Sequence, residues 1–227
     1  LNLSYEVLEG IRKHDKGYQR PSYKNKKDEQ FSNPSIEAQI ANMADEITYY
    51  SHDLDDGLDH KLINEQQLNE VTLWQKCSES VEEKFPGLKG KRQRSYIIRT
   101  LIDRQVADLI SATSEYIHNF KFESSDEIRR HPERLTRHSE WAQKGNLQLK
   151  QFLYENLYHH EAVAMPNARG GNVIADVFSF YEKNPKMIGG ESAKRINSEG
   201  LKRAICDYIS GMTDRYILEE YKRIKQI

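Results

Sequence analysis

The sequence predicts an all-α protein, and three observations carry that prediction. Apolar residues recur every three or four positions in several long segments, and no stretch of convincing length alternates apolar and polar residues as a half-buried strand would. Proline and glycine punctuate the ends of those segments, and no internal repeat is visible.

The first long helix is predicted from Asn33 to Leu58. Asn33 suits the N-cap, Pro34 the first helical position, and no further proline or glycine interrupts before Gly57. Ile36, Ile40, Met43, Ile47, Tyr50 and Leu54 share one stripe, the buried face. Asp45, Tyr49, His52 and Asp53 lie opposite, with Ala38 and Ala41 beside them and Glu37 and Glu46 at the flanks. A solvated face normally carries Lys, Arg and Glu, so the strip reads as a second contact surface holding acids and a phenol. Buried carboxylates need a cation or donors. An ordinary exposed face with a chance tyrosine satisfies the periodicity equally well.

Lys61 to Lys84 reads as the next helix, ending before Pro86-Gly87. Arg92 to Phe120 reads as a long one whose apolar face includes Ile97, Leu101, Val106, Leu109 and Ile110. Glu123 to His138 is polar and mixed in charge, and Glu123 to Asn146 as a whole is assigned to a hinge or loop. Leu147–Met165, Val173–Tyr181 and Leu201–Ile227 then supply a smaller helical layer, broken at Pro166, Gly170-Gly171, Pro185 and Gly189-Gly190. The predicted organisation is a helical domain over 1–122, the connector 123–146 and a C-terminal helical subdomain over 147–227.

A formal net charge of −1 over 227 residues gives no overall field pointing to nucleic acid. Local runs exist: Arg12, Lys13, Lys16, Arg20, Lys24, Lys26 and Lys27 are basic, and Asp53, Asp55, Asp56, Asp59, Glu65 and Glu70 follow as an acidic stretch. Most such runs are solvated surface. Cys77 and Cys206 have no zinc-like spacing and read as reduced packing residues. No apolar run reaches the roughly twenty residues of a membrane span, nor does the start resemble a signal peptide, so a cytoplasmic location with no membrane partner is expected. His159-His160-Glu161 invites a metal reading, but adjacent histidines point about 100° apart on a helix and no HExxH pairing exists.

The run EAQ at Glu37, ADEITY at Ala44 and HDLDDGL at His52 resembles the deoxyguanosine-triphosphatase-like deoxynucleoside triphosphate triphosphohydrolases, a branch of the HD-domain metal phosphohydrolases. LNLSYEVLEGIRKH (Leu1–His14), LKQFLYENLYHHEAV (Leu149–Val163) and DYISGMTDRY (Asp207–Tyr216) resemble further blocks of that family. The resemblance implies the C-terminal part of an HD-domain helical phosphohydrolase fold. It also implies a divalent metal, Mg2+ or Mn2+, with Asp45 as the fourth ligand, and Tyr49 and Asp53 lining the nucleotide pocket. Positions i, i+4 and i+8 stay on one side of a helix, which agrees. Lys13 sits in a family-like block and is a candidate cation for a triphosphate. Arg92 and Arg99 share a side with Asp103 and either present cations to a phosphate or form structural ion pairs.

The family's other three ligands, a histidine and an adjacent His-Asp pair, are not found in this sequence; His52-Asp53 is not that pair. The general acid/base histidines lie in the same missing segment, so the resemblance assigns no catalytic residue here. A sequence beginning LNLSYEV without methionine looks like the C-terminal part of a longer protein and is expected to be inactive alone. The implied activity is hydrolysis of a deoxynucleoside triphosphate, dGTP-like, to deoxynucleoside and tripolyphosphate by a homo-oligomer. Two other readings stay open: a non-catalytic regulatory subunit, binding single-stranded DNA or an allosteric nucleotide through the basic stretch, and an HD phosphohydrolase acting on another nucleotide.

Overall fold

The structure, a computed structural model, describes residues 2–14 and 30–226; Lys16, Arg20, Lys24, Lys26 and Lys27 of the basic run lie outside them. The described residues form helices and connectors with no strand, as the periodicity predicts: α1 (Tyr5–Lys13), α2 (Ile36–Asp59), α3 (Thr72–Lys84), α4 (Gly90–His118), α5 (Ser125–Arg130), α6 (Glu140–Leu153), α7 (Glu161–Lys183), α8 (Gly190–Glu199), α9 (Leu201–Ser210) and α10 (Asp214–Ile224). They divide into two compact units, Leu1–Tyr158 and His159–Ile227.

In the first unit α2, α3, α4 and α6 enclose a core that includes Leu54, Leu68, Leu73, Trp74, Ile97, Leu101 and Leu149. Ser35, not Asn33, caps α2, its hydroxyl accepting from Ala38 N. Asn33 is buried instead, and its amide donates to the carbonyls of His131 (2.6 Å) and Glu133 (3.0 Å), which spends the side chain on a tertiary anchor. Of the predicted stripe, Ile47 and Leu54 are buried but Ile40 is 46% exposed. Near that end Gln39 is buried in its place, donating to Pro34 O and accepting from Leu135 N and Thr136 N.

The helix predicted from Lys61 begins only at Thr72. Lys61 takes a left-handed φ of 57°, and the Asn64 carbonyl accepts from Gln66 N and Gln67 N, a side-chain turn that competes with helix. The segment read as a hinge contains α5, capped by Ser124, and the first half of α6, capped by Ser139. Its packing is tight: a Cβ on Gly145 would lie 2.5 Å from Leu73 Cγ, so only glycine lets α6 approach α3 this closely. The boundary between the compact units falls at Tyr158–His159.

In the second unit α7, α9 and α10 gather around Val173, Val177, Tyr181, Ile188 and Ile205. The buried Tyr181 hydroxyl donates to Glu220, whose carboxylate also accepts from Arg223 at 2.8 and 2.5 Å. The single helix predicted over Leu201–Ile227 is two, because Gly211 ends α9 and the Thr213 hydroxyl caps α10.

Candidate functional site

The outer face of α2 carries the acidic and phenolic strip. Asp45 is exposed and borders a groove of about 920 Å³ between α1, α2 and α5, beside Val7, Ile11, Ala38 and Ala41. That groove exists because α1 lies directly on α2: a Cβ on Gly10 would sit 2.8 Å from Ala38 Cβ. One turn further, the half-exposed Tyr49 ring meets Tyr50 edge-on at 5.5 Å and Tyr158 at 6.4 Å. Another turn on, the partly buried Asp53 accepts through Oδ2 from the Tyr158 hydroxyl at 2.5 Å.

Two local features bring Tyr158 to Asp53. Residues Tyr154–Tyr158 form a π-helical turn after α6, the kind of extra-residue insertion that re-aims side chains. The turn buries Leu157 over Gly57, where a Cβ would stand 3.1 Å from Leu157 Cδ1 and 3.0 Å from Ile63 Cδ1. Gly57 is one turn beyond Asp53, so seating Leu157 there sets its neighbour's phenol on the carboxylate. Burial first, then the hydrogen bonds to Asp53 and Tyr49, push the Tyr158 pKa far above the ordinary tyrosine value. The phenol therefore stays a neutral donor across the physiological range.

The cations distribute differently from the sequence candidates. Lys13 turns its ammonium onto Glu9 (2.8 Å) and the carbonyls of Phe31 (2.7 Å) and Asn33 (3.4 Å), which occupies its three donors. Glu9 is fully buried and also pairs with Arg129 at 2.7 Å, making this a structural network. Arg92 and Arg99 are exposed on α4, and neither forms an ion pair among the described residues. Their neighbour Arg94 pairs with Asp59 at 3.0 Å.

Lys150 and Arg134, which sequence reasoning missed, border a cavity of about 390 Å³ against α2 together with His14, Asn42, Glu46 and Tyr50. Lys150 Nζ is 5.9 Å from the Tyr50 ring centroid and 4.0 Å from Glu46 Oε1. Tyr158 was missed as well. A signal for two of these existed in the block Leu149–Val163, where Lys150, Tyr154 and Tyr158 recur every four residues.

These residues do not make a metal site by themselves, because among the described residues no group of three or more His, Cys, Asp or Glu is placed to hold an ion. Asp45 offers one carboxylate, whereas divalent ions take four to six or more ligands. His52 is exposed, and His160 is a helix cap whose Nδ1 accepts from Ala162 N. No helix among the described residues is long and apolar enough to cross a membrane.

Residues 136–223 match the phosphohydrolase-associated domain. Over 224 residues, 99% of this chain and 58% of the relative, the sequence is 39% identical to a deoxyguanosinetriphosphate triphosphohydrolase-like protein of Geobacter sulfurreducens. It is 38% identical to a protein of that name from Geobacter metallireducens, again over 99% of this chain and 58% of the relative. A third such protein, from Thiobacillus denitrificans, is 37% identical over 231 residues, 99% of this chain and 60% of the relative. The chain thus spans about three fifths of the length of the curated relatives it matches.

Proposed function

We propose that this chain, which matches about three fifths of the length of deoxyguanosinetriphosphate triphosphohydrolase-like proteins, forms the sugar- and phosphate-binding side of a deoxynucleoside triphosphate triphosphohydrolase. The substrate is dGTP-like, and the products are the deoxynucleoside and tripolyphosphate. The observation that carries this reading is the Asp53–Tyr158 hydrogen bond beside Tyr49, on the same side of α2 as Asp45. A neutral phenol held on a carboxylate fixes one oxygen and leaves the other for a ligand hydroxyl, which suits the 3′-hydroxyl of a deoxyribose.

Each side chain then has a task. Asp53 accepts from the sugar hydroxyl, Tyr158 orients Asp53, and Tyr49 packs against the sugar, so that a close fit disfavours a ribose. Lys150 and Arg134 offset the charge of the triphosphate. Asp45 contributes one ligand to a Mg2+ or Mn2+ ion whose other ligands come from outside this chain. Such an ion supplies Lewis acidity at the phosphate and a more acidic bound water. The test is dGTP binding to Asp53→Asn and Tyr49→Ala variants: weaker binding with unchanged melting supports the reading, and unchanged binding refutes it.

A second reading is a regulatory nucleotide-binding subunit, which would use the Asp53–Tyr158 pair and the cavity beside Lys150 and Arg134 without a metal ion. Metal content of the protein at the full length of its relatives separates the two, since a regulatory subunit would take up none.

A further inference from the structure

Helix α4 buries Ile97, Leu101, Gln105 and Leu109 in the core of its unit, and its opposite side is exposed. That outer side is not an ordinary solvated face. Arg92, Tyr96, Arg99, Asp103, Val106 and Ile110 follow one another at alternating steps of four and three residues, the spacing of a helix–helix contact line. At about 100° per residue they form a stripe about 80° wide. The large exposed hydrophobic side chains of α4 all fall on it: Tyr96 is 38%, Val106 39% and Ile110 61% exposed. Phe85 packs against the Tyr96 ring at 4.7 Å and holds it in place.

The charged members of the stripe are not used inside the chain. Among the described residues, the ion pairs of α4 are those of Lys91 and Arg94 with Asp59, of Arg94 with Glu65 and of Asp108 with His138. Arg92, Arg99 and Asp103 take part in none of them. Arg99 and Asp103 are one turn apart, the spacing at which a helix can close its own ion pair, and they do not close it.

The order of residues along the stripe is complementary to itself. Consider a second α4 laid antiparallel on the first, with the two-fold axis at the level of Leu101. Arg99 then faces Asp103 of the second copy, Tyr96 faces Val106, and the aliphatic stem of Arg92 covers Ile110. The axis makes each of these contacts twice. At the edge of the stripe Ser95 meets Ala107, so no long side chain holds the backbones apart. A parallel pair in register would instead set Arg99 on Arg99 and Asp103 on Asp103, which like-charge repulsion opposes.

We propose that the outer face of α4 is the interface of an antiparallel homodimer, its register set by the reciprocal Arg99–Asp103 pairs. The contact extends about 27 Å along the helix, from Arg92 to Ile110. One helix pair of that length belongs to the smaller interfaces, below about 1,200 Å² in total, so a dissociation constant of micromolar order is expected. The proposal goes beyond the nucleotide reading and uses none of Asp45, Tyr49 and Asp53, so loss of association and loss of nucleotide binding are separate results.

The test is analytical ultracentrifugation of the 227-residue chain between about 1 and about 200 μM. The wild type is expected to pass from monomer to dimer in that range. Arg99→Asp places four carboxylates at the axis and Asp103→Arg four guanidiniums, so each variant alone should dimerise at least about tenfold more weakly. Combining both substitutions in one chain exchanges the two charges, keeps the face self-complementary and should restore the dimer. An equimolar mixture of the two single variants should form a heterodimer, since every cation then meets an anion. That mixture contains only the single variants, so its association also shows that both are folded. A wild type that stays monomeric throughout, as a face reserved for a different partner would leave it, overturns the proposal. So do single variants that dimerise as tightly as wild type, or a mixture that stays monomeric.

Discussion

Replacing Tyr158 by Phe removes one oxygen and leaves the ring, its contact with Tyr49 and the seat of Leu157 on Gly57 in place. The lost interaction is a 2.5 Å donation to the Asp53 carboxylate. Hydrogen bonds to charged groups contribute about 1.5–3 kcal/mol, and partial exposure of both residues lets water replace some of that, so about 1–2 kcal/mol is expected. In a domain of this size that corresponds to a fall in Tm of about 2–6 °C. The larger effect should be on ligand: without the phenol, Asp53 is free to rotate, and dGTP binding should weaken about tenfold.

The folded-state pKa of Tyr158 is raised, so its stabilising contribution is complete below the unfolded tyrosine value of about 10. That contribution is lost as the pH rises from there towards the folded value. The gap in Tm between wild type and Tyr158→Phe should therefore shrink above about pH 10 and stay constant between about pH 7 and 9. Calorimetric melts with parallel nucleotide titrations measure both quantities. Unchanged dGTP affinity in the variant, or a Tm lowered by well over about 10 °C, would refute the reasoning; the first removes the site role and the second makes Tyr158 a packing residue.

Other perturbations probe the frame around the site. Arg129→Met strips the fully buried Glu9 of one of its two cations and should cost about 3 kcal/mol or more in chemical denaturation, with Glu9→Gln in the same chain recovering much of it. Gly145→Ala forces a methyl 2.5 Å from Leu73 Cγ and should cost about 1–3 kcal/mol, partly restored by Leu73→Ala. In the second unit, the Arg223 guanidinium, against burial and aided by the Tyr181 hydroxyl, holds Glu220 below the usual carboxylate range. Its stabilising contribution is present above the unfolded value of about 4.3 and lost as pH falls through the folded one, so Glu220→Gln should flatten the acid limb of a near-ultraviolet circular dichroism titration.

Helix periodicity made the architecture legible because it depends on spacing within one segment. The i, i+4, i+8 strip of Asp45, Tyr49 and Asp53 was readable for the same reason. What the sequence hid were contacts between distant segments. Asn33 looks like a cap until His131 and Glu133 claim its amide, and Lys13 looks available until Glu9 and two carbonyls occupy it. Tyr158 reaches Asp53 across 105 residues, through a π turn and a glycine contact that no local pattern announces. Asn64 delays a helix that apolar spacing alone would have begun at Lys61, by offering the backbone a side-chain acceptor.

The acidic strip of α2 is proposed to serve metal-assisted cleavage of a deoxynucleoside triphosphate. That role is tested most directly in a protein carrying this chain at the full length of its relatives, by phosphorus NMR of the products and metal analysis of wild type and Asp45→Asn. Tripolyphosphate released by wild type, with metal and turnover both lost in Asp45→Asn, is the predicted result. Equal metal content and turnover in the two proteins would contradict it.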